Sequence, residues 1–184
     1  MNASGEKKAA IHSFSKAHEI DSNNVEAAHM LNVLRNESMS SIPQAYITNF
    51  FEAYSTDFEQ SLVEKLNYKG PEGLKRLLEK LGCDVFETTL DLGCGTGLIG
   101  ASLEGRIKDI VGVDLSPKML ETAAELNIYS ELVYSDVLDF LTINETKFDL
   151  FTAADVFIYL GDLKDVFQKM LNRSNVGAKV LFTT

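Results

Sequence analysis

The sequence predicts an α/β domain with a doubly wound, mainly parallel sheet and an N-terminal helical extension. From Thr88 onwards, short apolar runs alternate with helical patterns, as is typical of parallel strands joined by crossover helices. The runs are nearly continuous in apolar residues, which indicates strands buried on both faces. Five strands are predicted, at TTLDLG, DIVGVD, ELVYSD, FDLFTAAD and AKVLFTT. The clearest helices between them are expected at residues 117–127 and 162–172.

Composition restricts the class of function. The chain has 184 residues, of which 45% are hydrophobic, enough for one buried core with a small appendage. A formal net charge of −10 argues against a nucleic-acid partner, because phosphate binding needs clustered Lys and Arg. No apolar run is long enough to cross a membrane, and the first residues do not resemble a secretory signal. The two cysteines, Cys83 and Cys94, favour a reducing, cytoplasmic environment over a disulfide framework.

Residues 1–40 are predicted to form a helical hairpin. Apolar residues recur at three- and four-residue spacings in two runs, and Ser22-Asn23-Asn24 separates the runs. Two short amphipathic helices joined by a tight turn pack as an antiparallel pair. The expected packing face consists of Ala10, Phe14, Ala17, Ile20, Val25, Ala28 and Leu31.

Residues 41–82 are predicted to form a helical cap. Aromatic residues are frequent here, chiefly within 46–54 and at Phe58 and Tyr68. They are expected either to cover a ligand as a lid, with Tyr54 contacting it, or to pack helices onto the sheet. A final helix is expected to begin at Pro71 and to end near Gly82.

Residues 83–184 form the predicted core, and they contain the strongest local signal, Asp91-Leu92-Gly93-Cys94-Gly95-Thr96-Gly97. This segment follows an apolar strand and precedes a predicted helix at 98–103. Glycines at 93, 95 and 97 permit positive φ and bring backbone amides close to a ligand. The alternative is a tight turn between strand and helix that binds nothing.

Four aspartates stand at the ends of successive predicted strands. Asp91, Asp114, Asp136 and Asp155 occur once per strand–helix repeat. In a doubly wound sheet these ends meet at one edge, where ligands bind at the switch in strand order. Clustered carboxylates raise one another's pKa, so a ligand rich in hydrogen-bond donors and positive charge explains the cluster. Taken singly, Asp114 or Asp136 is also explained as a helix cap.

S-adenosylmethionine carries the required groups: a sulfonium, an ammonium, a ribose diol and an exocyclic amine. Asp114 is expected to accept from both ribose hydroxyls, and Asp136 from the adenine amine. Asp91 and the amides of the glycine loop are expected to bind the methionine end. Leu115 and Met119 stand where they would hold the adenine ring. No metal site is predicted.

Methyl transfer from a sulfonium is an in-line displacement in which the protein mainly orients the reactants. If the acceptor must lose a proton, Asp155 and Tyr159 at the fourth strand are the candidate bases. The acidic composition favours a small-molecule or protein acceptor over a nucleic acid.

Two other functions remain open. Gly95, Gly97 and Gly100 also have the spacing of a dinucleotide-binding loop, which would suit a nicotinamide-dependent oxidoreductase. That alternative leaves Asp91 and Asp136 unexplained. The other is a non-catalytic interaction protein, in which the core and the helical hairpin bind a partner.

Several segments resemble one enzyme family. LDLGCGTGLIG resembles motif I of class I S-adenosylmethionine-dependent methyltransferases, and VGVDLSPKML resembles their ribose-binding strand and helix. YSDVLDF resembles the adenine-binding segment, and FDLFTAADVFIYLGDL is similar to the fourth-strand motif that borders the substrate. The resemblance implies a Rossmann-like sheet, S-adenosylmethionine as cofactor with S-adenosylhomocysteine as product, and Val137 as an adenine contact.

The hairpin is similar to part of a tetratricopeptide array. The whole sequence, including AYSTDFEQSLVEKLNYKGPEGL, resembles bacterial tetratricopeptide-containing methyltransferases. About one repeat length is present, whereas such arrays usually need about three. The resemblance also implies two further strands, so the core is predicted to be truncated after the fifth strand. A homodimer or protein partner is then expected at that strand's exposed edge or on the helical extension.

Overall fold

The computed structural model describes residues 3–35, 47–48, 68–80, 82, 85–160 and 162–183. The chain divides into two compact units, Met1–Phe50 and Phe51–Thr184. Most of the predicted helical cap, including Tyr54, lies outside the described residues, as does Cys83. The two units are described separately.

The first unit contains two packed helices. They are α1, Ala3–Ile20, and α2, Val25–Arg35. The turn between them falls at the predicted break, where Asn24 Oδ1 accepts a hydrogen bond from the Ala27 amide at 2.8 Å. Ala27 and Leu31 of α2 are buried, as is His29.

The second unit alternates helices and strands as the sequence predicts. A helix, α3, precedes the first strand, and a short 3₁₀ turn follows the fourth. The bounds are α3 Gly70–Lys80, β1 Phe86–Leu92, α4 Leu98–Ser102, β2 Ile107–Asp114, α5 Pro117–Glu125, β3 Glu131–Tyr134, α6 Val137–Ile143, β4 Phe148–Ala153, the 3₁₀ turn Phe157–Tyr159, α7 Leu163–Asn172 and β5 Ser174–Phe182.

The five strands form one sheet in the order β3-β2-β1-β4-β5, and every described pairing is parallel. From β1 the chain winds outward to β3, then returns to the other side of β1 for β4 and β5. The predicted doubly wound α/β fold is therefore confirmed. The direction of winding switches between β1 and β4, so their carboxyl ends lie where ligands bind in such sheets.

The inner strands β1 and β4 are buried on both faces, which explains their nearly continuous apolar residues. One face is covered by a core that includes residues of α6 and α7: Leu90, Leu92, Val113, Phe140, Leu141, Phe151, Val166 and Met170. The opposite face packs against α3 and α4 through Leu74, Leu78, Ile99, Leu103, Leu150 and Leu181. Successive side chains of β1 point to opposite faces of the sheet, so Asp91 lies on the face opposite to Leu90 and Leu92. On that face its carboxylate is placed among polar groups that form hydrogen bonds.

Three helices begin at side-chain caps that follow strands or turns. Ser116 caps α5, with Pro117 in its first turn. Asp136 caps α6, and Asp162 caps α7. Caps of this kind satisfy amides at the helix start and fix where each chain segment leaves the sheet edge. Among the described residues, no helix is long and apolar enough to cross a membrane.

Candidate functional site

The glycine-rich loop joins β1 to α4 at the switch in strand order. The backbone φ angle is 60° at Gly93, 54° at Gly95 and 89° at Gly97, values that favour glycine over any residue with a side chain.

 A Cβ atom at Gly93 would collide with the side chain of Val156, so the loop lies directly against the segment after β4. A Cβ atom at Gly95 would meet nothing within 4 Å, so this side of the loop faces open space.

Asp114 fastens the glycine loop to the end of β2. Its Oδ2 accepts a hydrogen bond from the Gly95 amide at 2.9 Å, and its Oδ1 accepts one from the Ser116 amide at 2.8 Å. Burial raises the pKa of this carboxyl, while these backbone hydrogen bonds oppose the rise. The sequence predicted a ligand contact for Asp114 but not its role in shaping the loop.

Asp91, whose contact with a ligand's methionine end stays a prediction, is held inside the fold by two hydrogen bonds. Its side chain is only 1% exposed, and both oxygens are used within the fold. Oδ1 accepts from the Thr152 hydroxyl at 2.6 Å, and Oδ2 from the Tyr129 hydroxyl at 2.8 Å. Burial raises the pKa of Asp91 to about 6, although the two hydrogen bonds act in the opposite direction. The carboxylate thus ties β1 to β4 and to the segment before β3.

A role for Tyr129 was not predicted from the sequence, although two glycines, Gly100 and Gly112, leave room for its side chain. A Cβ atom at Gly112 would lie 2.9 Å from the Tyr129 ring, and one at Gly100 would lie 2.7 Å from its hydroxyl oxygen. Burial and the nearby Asp91 raise the pKa of Tyr129. Gly100 is therefore explained by the packing of Tyr129, which weakens its interpretation as part of a dinucleotide-binding loop.

Asp136 is the N-cap of α6, as the alternative interpretation held. Its Oδ1 accepts from the Leu138 amide at 2.8 Å and from the Asp139 amide at 3.2 Å. The cap places Asp136 at the same sheet edge as Asp114, and both hydrogen bonds end on one oxygen. A contact with an adenine amine stays a prediction. Val137 follows Asp136 and is the adenine contact that the family resemblance implies. Its side chain is 7% exposed and packs in the core.

Leu115 and Met119 are unequally placed for an adenine contact. Leu115 follows Asp114 and is half-buried, so part of its side chain remains accessible at the edge. Met119 is only 1% exposed and lies on the buried face of α5. The adenine contact stays a prediction for both residues.

Asp155 lies directly after β4, held in a hydrogen-bonded cluster. Its backbone has a φ of 55°, and its amide donates to Thr183 Oγ1 at 2.8 Å. The Thr183 hydroxyl in turn donates to Asp155 Oδ1 at 2.6 Å. The Tyr68 hydroxyl is hydrogen-bonded to Asp155 and Thr183, and burial is the largest cause of its raised pKa. Tyr159, the other predicted base, lies in the 3₁₀ turn and is half-buried.

Comparisons with known proteins agree with this geometry. Residues 89–175 match a family model described as a methyltransferase domain. An uncharacterised methyltransferase of Schizosaccharomyces pombe is 30% identical over 81 residues, which make up 44% of this chain and 31% of that protein. The chain thus spans less than a third of this relative.

Solved structures share the fold. An S-adenosylmethionine-dependent methyltransferase from Clostridium acetobutylicum is 26% identical with a TM-score of 0.54, over 73% of this chain and 55% of that one. The N-methyltransferase NodS from Bradyrhizobium japonicum, in complex with S-adenosyl-L-homocysteine, is 23% identical with a TM-score of 0.52, over 60% and 59%. Residues 89–175 therefore resemble a methyltransferase domain, and the sheet around them has the fold seen in S-adenosylmethionine-dependent methyltransferases.

Proposed function

We propose that this protein binds S-adenosylmethionine at the glycine loop and transfers its methyl group to a small-molecule or protein acceptor. The observation that carries the proposal is the loop itself, fastened by Asp114 at the switch point of a methyltransferase-like sheet. A loop held open in this way presents backbone amides and a carboxylate to one ligand.

The residues at the loop fit this cofactor. Each Asp114 oxygen accepts one amide, and a carboxylate has about four lone-pair sites, so both ribose hydroxyls can still be bound. The Thr96 hydroxyl is buried and has no hydrogen-bond partner among the described residues. An orphaned polar group beside a glycine loop supports a bound polar ligand. Open space beside Gly95 supports the same conclusion.

When bound, S-adenosylmethionine would supply an activated methyl group, since the electron pair of the broken carbon–sulfur bond would remain on sulfur. The chain's own residues orient the reactants and exclude water. On the acceptor side, Asp155 and Tyr159 follow β4, and they are the candidate bases for an acceptor that must lose a proton before it attacks.

Partners and location are also proposals. We infer that the helical hairpin is a tetratricopeptide-like unit that contacts a protein partner, supported by its two packed helices. Among the described residues β5 pairs with β4 alone, and Val176 and Phe182 are exposed, which supports association through this edge. The buried free thiol of Cys94 suits a cytoplasmic protein, and the negative charge disfavours nucleic acid.

Calorimetry with S-adenosylhomocysteine and NAD, each titrated into the full chain, tests the proposed function. Binding of S-adenosylhomocysteine without binding of NAD is expected. Binding of NAD alone would instead favour the oxidoreductase. If neither ligand binds, the loop is a structural turn and the non-catalytic interpretation is preferred.

A further inference from the structure

We propose that the Asp155 carboxylate faces the transferred methyl group and selects a nitrogen acceptor, with Tyr68 and Thr183 as its positioning residues. The inference rests on the proposed function and deepens it, since it names the class of acceptor. It starts from three hydroxyl and carboxylate side chains that come together from three separate segments of the chain.

The position of Asp155 relative to the cofactor loop is fixed by its neighbour. Val156 packs so closely on Gly93 that a Cβ atom there would collide with it. Asp155 therefore stands one residue from a direct contact with the glycine loop. Because β4 is next to β1 in the sheet, this contact lies at the switch point, beside the proposed methionine end of the cofactor.

The orientation of Asp155 is set by Thr183. A φ of 55° is uncommon outside glycine, although Asp and Asn adopt it more readily than other residues. Thr183, just after β5, accepts from the Asp155 amide and donates to its Oδ1. These two hydrogen bonds hold both the backbone and the side chain of Asp155 in one arrangement.

Tyr68 adds a contact from the segment before α3. A Cβ atom at Gly70 would collide with the Tyr68 ring, so the glycine allows the ring to fold back over the start of the helix. In this position the Tyr68 hydroxyl is hydrogen-bonded to Asp155 and Thr183. Tyr68 and Thr183 therefore hold the Asp155 carboxylate in position from two sides.

A carboxylate held in this way suits a nitrogen acceptor. A neutral amine attacks the methyl carbon, the carbon–sulfur bond breaks with its electron pair left on sulfur, and the nitrogen becomes positively charged. A fixed negative charge beside the nitrogen stabilises that developing charge. The proton then leaves the nitrogen for solvent. A hydroxyl acceptor would first have to lose its proton, and the negative charge of Asp155 would oppose the anion that forms.

The test uses sinefungin, an S-adenosylmethionine analogue in which a carbon bearing an amine replaces the methylated sulfonium. Its amine occupies the place of the transferred methyl group, so it probes recognition of nitrogen there. The measured quantity is the ratio of the Kd of S-adenosylhomocysteine to that of sinefungin. Calorimetry on the full chain gives this ratio for wild type, Asp155→Asn and Tyr68→Phe. Asp109→Asn and Tyr134→Phe, which change exposed side chains in the same way, are the controls.

In Asp155→Asn the ratio should fall by about tenfold or more, because the acceptor that faces the amine loses its negative charge. In Tyr68→Phe it should fall by about threefold or more, with S-adenosylhomocysteine binding within about twofold of wild type. A merely structural role would weaken both ligands together and leave the ratio unchanged, which would overturn the inference. Failure of wild type to bind S-adenosylhomocysteine would instead reject the proposed function. Asparagine tolerates the left-handed backbone, and Tyr68→Phe provides a second variant if Asp155→Asn does not fold.

Discussion

The buried carboxylate of Asp91 predicts that the protein loses stability as pH rises through the acid range. Its pKa is about 6 in the folded chain and 3.8 in the reference state, so the folded protein binds more protons between these values. The free energy of unfolding then falls as pH rises and levels off above pH 6. A shift of about two pKa units corresponds to about 3 kcal/mol over the whole titration.

Asp91→Asn removes this dependence while keeping the shape of the side chain. The amide oxygen can still accept from the Thr152 hydroxyl, and the Tyr129 hydroxyl can accept from the amide nitrogen. Between pH 4.5 and pH 7.5, the free energy of unfolding of the variant should rise by about 2 kcal/mol relative to that of wild type. This is the part of the Asp91 titration that falls within that pH window.

Urea unfolding followed by circular dichroism at several pH values measures this difference. Glu104→Gln, which neutralises an exposed carboxylate, is the matched control and should follow the wild-type profile. Parallel profiles for Asp91→Asn and wild type would refute the reasoning, because they would mean that Asp91 titrates alike in the folded and unfolded chains.

Three further predictions concern the loop, the packing and the sheet edge. Asp114→Ala should weaken S-adenosylhomocysteine binding by about tenfold or more in calorimetry, whereas Asp109→Ala on the same strand should not. Gly112→Ala should cost about 1–3 kcal/mol in urea unfolding, since its Cβ would lie 2.9 Å from the Tyr129 ring. Gly73→Ala, with open space around it, should not destabilise the protein and serves as the control. Val176→Lys on β5 should reduce any self-association seen by light scattering, with cofactor affinity unchanged; equal association would place the contact elsewhere.

The sheet and the location of the site could be predicted from local patterns. Apolar runs, glycines and strand-end aspartates are each visible within one strand–helix repeat, and the structure gathers them at one edge as expected. Asp136 shows the limit of this reasoning, because a cap and a ligand contact look alike in sequence. Here the hydrogen bonds to the Leu138 and Asp139 amides establish the cap.

The roles of other residues depend on distant partners. Asp91 is bound by Tyr129 and Thr152, which are 38 and 61 residues away in sequence. That pairing follows from strand register, which no local pattern contains. Tyr68 was predicted only as an aromatic cap residue, since its hydrogen bonds depend on where the segments after β4 and β5 end.

The hydrogen bond between Asp91 and Thr152 also bears on the order of folding. Strands β1, β2 and β3 and the loop with Asp114 all precede β4 in the chain. Until β4 is in place, the Asp91 carboxylate lacks its Thr152 donor, and burying it is then more costly. Strands β1, β2 and β3 therefore gain little by forming ahead of β4 and β5. During synthesis we expect β1 to reach its final packing only once β4 has emerged, so that the five strands fold together.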